Sequence, residues 1–228
     1  MTVGGTLAQV PSTVASVFAA AGLEPAGCVR WGDPLPGESG IYVVSLTASA
    51  KSGRAAVAEC PTSMPAIRAW LERRPEMLLD GTTPTPKRLA TRMATLWLAD
   101  EVVLYVGIAS GTLEGRVGGY YSTPLGNRSP HAGGRYLKTL SVLEDLHIHY
   151  AFHPGPKEKL ERMEAEMLGS FTDHVSKATR AQLRDPEHPL PFANVNWEPL
   201  DPLTGKVMRR RKDHGLKLDV PRQVRRPK

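Results

Sequence analysis

The chain has 228 residues, of which 41% are hydrophobic and 6% aromatic, and its formal net charge is +6. This length suits one domain with extensions or two small domains, and the apolar content excludes a wholly disordered or collagen-like chain. Residues 206–228 carry ten Lys/Arg and two Asp, a local charge of +8, which leaves −2 on residues 1–205. A basic segment beside a near-neutral body predicts a polyanionic partner, unless the segment only keeps the protein soluble.

The polyanion is nucleic acid or an anionic membrane surface, and the sequence favours nucleic acid. Membrane binding needs an amphipathic or lipidated segment beside the basic run, and we find neither. Cys28 and Cys60 have the spacing of neither a metal site nor a disulfide framework. The apolar stretch near the start is broken by Gly and Ser and has no basic flank, unlike a signal peptide. We therefore expect a cytoplasmic protein without a membrane partner.

Hydrophobic spacing and the positions of Pro and Gly predict a mixed α/β domain of short elements. The predicted helices are residues 11–22, 65–74, 87–93, 136–143 and 157–183. The predicted strands are residues 41–46, the two arms of a hairpin within 94–109, and residues 146–152. A Gly-rich polar loop fills residues 110–134.

Glu164 lies on the apolar side of the longest predicted helix, residues 157–183. At about 100° per residue it falls within the stripe that runs from Leu160 through Met167 to Phe171. A carboxylate on the core-facing side of a helix is costly unless it is paired, protonated or bound to a metal. The alternative is a residue at the edge of the stripe whose carboxylate reaches solvent.

Glu164 also belongs to an ordered series of motifs that resembles the GIY-YIG nuclease superfamily over roughly residues 39–197. Each motif is weak alone, and the order of the set carries the resemblance. The second motif has Val in place of Ile, and a Tyr stands where many members have His. The series is Gly40-Ile41-Tyr42, Tyr105-Val106-Gly107, Arg116 in LEGR, Tyr120, Glu164 in ExxMLxxF, and Asn194 in LPFAN.

The resemblance implies an α/β (α+β) fold with a small central antiparallel sheet flanked by helices. It divides the chain into an N-terminal extension (1–38), a nuclease-like domain (39–200) and a basic C-terminal tail (201–228). The two tyrosine motifs lie close together in most members, whereas an insertion at about 48–93 separates them here. We expect this insertion to form a subdomain beside the sheet and to contribute to specificity.

The resemblance implies a Mg²⁺-dependent phosphodiester hydrolase in which Mn²⁺ can substitute. Glu164 would supply one hard oxygen ligand, which suits an ion that keeps most of its waters. Arg116 would donate two parallel hydrogen bonds to phosphate oxygens. Tyr42, Tyr105 or Tyr120 would act as general base, with its pKa lowered by Arg116 and the metal.

Further residues are expected to support the site or bind the phosphate backbone. The resemblance implies that Asn194 anchors the wall of the active site through its amide. Flexible backbone with interspersed cations suits phosphate contact, although a mobile loop with incidental charges is the alternative. The predicted nucleic-acid contacts are Arg128, His131, Arg135, Lys138, Arg209, Arg210 and Arg211.

Restriction-like cleavage of duplex DNA, by a homodimer, is the first interpretation because the chain has no separate DNA-binding module. A nuclease that repairs or processes unusual DNA structures is the second. The competing class is a non-catalytic nucleic-acid-binding protein on the same scaffold. A third alternative is a transition-metal site on His147 and His149, which share one face of a predicted strand but have no evident third ligand.

Overall fold

The computed structural model describes residues 11–53, 57–127 and 134–217. The strands are β1 (Gly27–Arg30), β2 (Gly40–Ser45), β3 (Leu78–Leu79), β4 (Val103–Ala109), β5 (His147–Phe152), β6 (Asn196–Trp197), β7 (Arg210–Arg211) and β8 (Leu216–Lys217). The helices are α1 (Val14–Ala19), α2 (Met64–Arg73), α3 (Pro86–Ala94), α4 (Leu113–Ser122), α5 (Gly134–Leu137), α6 (Lys157–His174) and α7 (Lys177–Arg180).

A four-stranded antiparallel sheet with the strand order β1-β5-β2-β4 forms the centre of the fold. Helices pack against it, and the α/β (α+β) class is therefore confirmed. Strand β4 lies at one edge of the sheet. No helix in the three described ranges is both long enough and apolar enough to cross a bilayer.

Helices α2, α3 and α4 each begin after a residue whose side chain caps the first turn. Ser63, Thr85 and Thr112 each accept a hydrogen bond from the backbone N–H three residues later, at the beginning of α2, α3 and α4. Pro lies in the first turn of α2 and of α3, where its missing N–H costs nothing. These local signals explain why both helices begin within one residue of the predicted positions.

The predicted hairpin within residues 94–109 is wrong, because only its second arm is a strand. The backbone after α3 continues in tight turns, with Leu96 N–H donating to Met93 O and Trp97 N–H donating to Ala94 O. Trp97 then packs edge-on against Phe192, with 5.3 Å between ring centroids. The apolar side chains of this run are buried although the backbone turns and pairs with no neighbouring strand of the described ranges. Their alternating sequence pattern is therefore the same as that of a buried strand.

The long helix is also shorter than predicted. Helix α6 ends at His174, where Val175 adopts an extended conformation. Ser176 then caps the separate short helix α7. Ser176 is a typical N-cap residue and marks the start of a new helix. The prediction followed the apolar spacing of the preceding residues and did not use this signal.

The two faces of the sheet support two hydrophobic cores. Tyr42 and Val44 of β2 face one core, while Ile41 and Val43 face the other. Helix α6 buries its apolar stripe in the second core. The insertion contributes Trp70 and several other side chains to the first core, so it packs directly on the face that carries Tyr42.

Residues 201–217 are folded onto the body of the protein instead of extending from it as a tail. Strand β7 pairs with β6, and β8 pairs with β3 of the insertion. Between them Lys212 is buried, and its ammonium donates to the carbonyls of residues 190, 191 and 192. The remaining predicted tail, residues 218–228, lies outside the described residues.

Candidate active site

A cleft of about 500 Å³ opens at the edge of the sheet, where β4 ends. Helix α4 lies against one face of the sheet and α6 against the other, so the cleft receives side chains from both. Its polar and charged lining comes from Ser110, Thr112, Arg116, Lys157, Glu161 and Glu164. The two charged residues of the motif series therefore meet at one place although they belong to helices on opposite faces.

Three tyrosines of the series form a buried cluster beside the cleft. The ring centroids of Tyr42 and Tyr105 are 5.8 Å apart, and that of Tyr120 lies 6.5 Å and 5.9 Å from them. All three side chains are buried. Strands β2 and β4 and helix α4 thus bring together residues that are 78 positions apart in the sequence, from 42 to 120.

Gly107 leaves the space that the tyrosine rings occupy. It lies directly opposite Tyr42 in the β2–β4 pairing. A Cβ atom at this position would lie 2.5 Å from Cε1 of Tyr105 and 2.9 Å from both Cζ and Oη of Tyr42. The glycine of the second motif is therefore required for the tyrosines to approach each other.

Asn194 holds the backbone between Tyr105 and Gly107. Its Oδ1 accepts a hydrogen bond from Val106 N–H, and its Nδ2 donates to Val106 O, each at 2.9 Å. The amide thereby pairs with the free edge of β4 in the way a neighbouring strand does. This geometry has the anchoring character that the motif resemblance implies for Asn194.

Lys212 fixes the segment that leads into Asn194. Its Nζ donates to the carbonyls of Leu190 at 2.9 Å, Pro191 at 2.7 Å and Phe192 at 3.4 Å. Sequence reasoning missed this residue because a lysine within a basic run is expected to be exposed. We find no signal in the sequence that distinguishes it from its neighbours.

Two buried polar atoms of the site have no hydrogen-bond partner, namely Tyr42 Oη and Arg116 Nε. The positive charge of the Arg116 guanidinium acts on the Tyr42 hydroxyl and opposes the rise in the pKa of that phenol. Buried polar groups are almost always paired, and an unpaired one calls for an explanation. Of the two residues only Arg116 lines the cleft, where an anionic ligand could use its donor capacity.

Glu164 has the electrostatics of a carboxylate removed from water. It is only partly exposed, whereas its neighbour Glu166 lies on the exposed face of α6. Burial raises the pKa of Glu164 to about 7; Arg116 opposes this rise, and Glu161 and Glu198 add to it. Half of the carboxyl groups are therefore protonated near neutral pH, which agrees with the cost predicted from the apolar stripe.

The expected lowering of the tyrosine pKa values does not occur in this structure. Burial raises the pKa of Tyr42, Tyr105 and Tyr120 well above the usual value, and the opposing effect of Arg116 is smaller. The phenols therefore carry their protons at neutral pH. They suit the positioning of a water or a phosphate better than the abstraction of a proton.

The donor set of the cleft fits a magnesium ion. Glu164 offers one carboxylate, and Glu161 in the same lining is paired with Lys157 at 2.7 Å. Within the described ranges, no group of three His, Cys, Asp or Glu side chains could hold a metal. Mg²⁺ binds through one or two carboxylates and keeps several waters, so it does not need such a group.

The predicted nucleic-acid contacts fall into three groups. Arg128 and His131 lie outside the described residues. The ammonium of Lys138 donates to Tyr121 O at 3.2 Å and to Thr123 O, where it satisfies carbonyls at the end of α4. Arg135 donates to Asn127 O at 3.2 Å. The cations at the end of α4 therefore hold this loop together in addition to any contact with phosphate.

The third group, Arg209, Arg210 and Arg211, is exposed on and next to strand β7. Arg209 Nε lies 3.3 Å from Glu198 Oε1, and the Arg210 guanidinium lies 5.2 Å from the centre of the Trp197 ring. Arg209 and Arg210 thus have partners on strand β6 and the residue after it, whereas Arg211 Nη2 lies 3.3 Å from His214 Nε2. All three remain predicted phosphate contacts.

The structure gives no support to a metal site on His147 and His149. His149 is buried, and its Nε2 is 2.8 Å from Thr47 O and 3.7 Å from Cys28 Sγ. Burial lowers the pKa of His149, which keeps the ring neutral. A neutral ring that donates to a carbonyl is a satisfied core histidine.

No protein-family model matches the chain, and no curated protein or solved structure matches it either. The resemblance to the GIY-YIG nucleases therefore rests on the ordered motifs of the sequence alone.

Proposed function

We propose that the chain is a Mg²⁺-dependent endonuclease of the GIY-YIG type that hydrolyses phosphodiester bonds in DNA. The observation that carries this proposal is the meeting of Arg116 and Glu164 in one cleft above the cluster of Tyr42, Tyr105 and Tyr120. A guanidinium that can bind phosphate and a carboxylate that can hold a metal line one cleft, and phenols that can position a water lie beside it. These are groups that phosphodiester hydrolysis uses.

Each side chain has a role that its environment supports. Arg116 binds the phosphate through its guanidinium, whose Nε has no partner inside the protein. Tyr42, with its unpaired hydroxyl, orients the attacking water or a phosphate oxygen. Asn194 acts through Tyr105 and Gly107 as a positioning residue, because it touches only the backbone of Val106.

Glu164 would hold the divalent cation. Bound there, Mg²⁺ or Mn²⁺ would supply neutralisation of the charge on the phosphate and on the leaving 3′-oxygen. Protons compete with the metal for a carboxyl whose pKa is about 7. Metal affinity and cleavage are therefore expected to rise with pH between about 6 and 8.

Restriction-like cleavage of duplex DNA by a homodimer is the form of this activity that we favour, since one cleft of this size attacks one strand. Two copies related by a twofold axis would cut both strands. Sedimentation of the protein with and without duplex DNA tests this assembly. A monomer that only nicks the duplex would favour repair or processing of unusual DNA structures.

The activity is tested with supercoiled plasmid and Mg²⁺. Wild type is expected to nick or linearise the plasmid, and Glu164→Gln to do so at least about a hundredfold more slowly. The matched control is Glu166→Gln, which makes the same change two residues away on the exposed face of α6. Plasmid that persists with wild type across varied DNA, despite normal binding, would favour a non-catalytic DNA-binding protein.

A further inference from the structure

Residues 196–211 form a β-hairpin arm next to the cleft. Asn196 pairs with Arg211, Trp197 with Arg210, and Leu200 with Val207, all in one antiparallel register. The sequence of the turn, Asp-Pro-Leu-Thr-Gly, explains the hairpin. Asp201 Oδ1 accepts from the N–H groups of Leu203 at 2.8 Å and Thr204 at 2.9 Å, and Gly205 has a φ of 65°.

The base of the arm is fixed beside the candidate active site. Trp197 Nε1 donates to the carbonyl of Ala165 at 3.0 Å, one residue after Glu164 on α6. Glu198, the next residue of the arm, is close enough to raise the pKa of Glu164. A molecule that lies in the cleft therefore lies beside the arm as well.

The arm exposes apolar side chains to an unusual degree. Four large hydrophobic residues are exposed in the described part of the chain, and three of them lie within eight residues of this hairpin. Leu203 at the tip is 94% exposed, Val207 is 56% exposed and Leu200 is 38% exposed. Single exposed apolar residues are normal, but a cluster on one projecting element is typical of a contact surface.

Cations flank this apolar tip. The arm carries Lys206, Arg209, Arg210 and Arg211 against Glu198 and Asp201, which gives +4 − 2 = +2. Since side chains alternate along a strand, Arg209, Arg211 and Val207 share the face opposite Trp197 and Arg210. Trp197 faces α6, and Arg209 and Val207 lie on the other face of the hairpin. The guanidinium of Arg211, at the base of the arm, lies 3.3 Å from Nε2 of the buried His214.

We propose that the hairpin arm binds duplex DNA, with Leu203 and Pro202 wedged into the minor groove while the arginines contact phosphates. Leucine and proline are side chains that minor-groove proteins insert between base steps to kink the duplex. The apolar surface at the tip matches the base edges in the groove, and the cations behind the tip match the phosphates on either side of it. The inference rests on DNA as the substrate proposed above, and it adds that the duplex is bent at the site of cleavage.

The test uses the full chain carrying Glu164→Gln, so that the DNA stays intact, and a short duplex with end labels and 2-aminopurine. Binding is expected to shorten the end-to-end distance and to raise 2-aminopurine fluorescence through unstacking. Adding Leu203→Ser is expected to abolish both signals and to weaken binding about tenfold, with the salt dependence unchanged. Phe152→Ser, which removes the exposed apolar residue outside the arm, is the matched control and should change none of them.

The arginines give a complementary result. Replacing Arg209 and Arg211 with Gln is expected to lower the slope of log K against log salt by about two. Bending and unstacking that survive Leu203→Ser would overturn the wedge. If the protein self-associates in the absence of DNA and Leu203→Ser abolishes this self-association, the wedge proposal is overturned in favour of a protein interface. If Glu164→Gln bends DNA but wild type cuts no plasmid, the proposed activity fails while the arm proposal stands.

Discussion

Arg116 and Lys212 are two cations withdrawn from solvent in the same protein, and their surroundings are opposite. Lys212 donates to three backbone carbonyls. Arg116 has a buried Nε without a partner and faces an open cleft. Burial lowers the pKa of Lys212 to about 7, and the three hydrogen bonds of its amino group serve the fold. A buried donor without a partner, such as Arg116 Nε at the cleft, is available to bind something else. The contrast separates residues that build the site from residues that would act in it.

The same replacement at both positions gives the largest expected effect and a direct test of this contrast. Arg116→Met is expected to slow plasmid cleavage at least about a hundredfold, because the phosphate loses its charge-assisted donor. The melting temperature should change little, since the buried Nε of Arg116 donates no hydrogen bond within the protein. A variant that cuts normally but melts early would reverse the assignment of Arg116.

Lys212→Met should produce the opposite pattern. Three carbonyls that lead into Asn194 would lose their donor, and we expect the free energy of unfolding to fall by about 3 kcal/mol. Urea unfolding followed by tryptophan fluorescence measures this change. Cleavage per folded molecule should fall by less than about tenfold, because Lys212 acts only through Asn194. Unchanged stability would show that the ammonium does not anchor the segment.

Gly107→Ala tests whether the packing of the tyrosines matters to the site. The added methyl group would collide with the rings of Tyr42 and Tyr105, so we expect a loss of about 2 kcal/mol of stability and slower cleavage. Gly118→Ala is the control, since a Cβ there meets nothing within 4 Å and lies inside helix α4. The control should be neutral or slightly stabilising. Equal effects of the two changes would contradict the crowding at Gly107.

Glu164 and Glu101 extend the comparison to carboxylates and give the smallest expected effect. Burial raises the pKa of Glu164 to about 7 and that of Glu101 to about 8, both from 4.5. Between pH 4.5 and each raised pKa, the native state holds more protons than the unfolded state. The stability of the wild type therefore falls as the pH rises through this range. At pH 8, Glu164→Gln is expected to gain about 1–2 kcal/mol after allowance for solvent screening.

Glu101→Gln provides the control for function. Its carboxylate accepts from Ser12 N–H at 3.0 Å, away from the residues that line the cleft, and a Gln amide oxygen can also accept there. Both variants should be more stable than wild type at pH 8 and equal to it below pH 4.5. Only Glu164→Gln should lose cleavage. A Glu164→Gln protein that gains no stability would show that the carboxylate is well solvated.

The sequence predicted several elements that depend on local signals: apolar spacing and the positions of Pro and Gly placed α2, α3, β2 and β5 within about two residues of their positions. The Gly-rich loop predicted for residues 110–134 is wrong over 113–122, which form helix α4 after the Thr112 cap. The apolar stripe identified Glu164 as a costly carboxylate, and two residues of the ordered motifs, Arg116 and Glu164, line one cleft in the structure.

What the sequence could not predict depends on contacts between distant residues. Lys212 and the strands β7 and β8 belong to a basic run, and only their pairing with residues 78–79 and 190–197 distinguishes them from a solvated tail. The apolar run after α3 alternates like a strand, yet Trp97 buries its ring against Phe192. The pKa of a tyrosine likewise depends on how much protein surrounds it, and the number of nearby cations does not reveal this.

The amide of Asn194 also bears on the solubility of the protein. An edge strand with free N–H and C=O groups is a template for intermolecular pairing and aggregation. Ala193 N–H donates to Leu104 O, and Asn194 occupies both groups of Val106, so this short segment blocks the middle of β4 without forming a strand. The protection ends just before Ile108, where the cleft begins. Losing the Asn194 amide would free both backbone groups of Val106, so we expect it to favour aggregation as well as disturb the site.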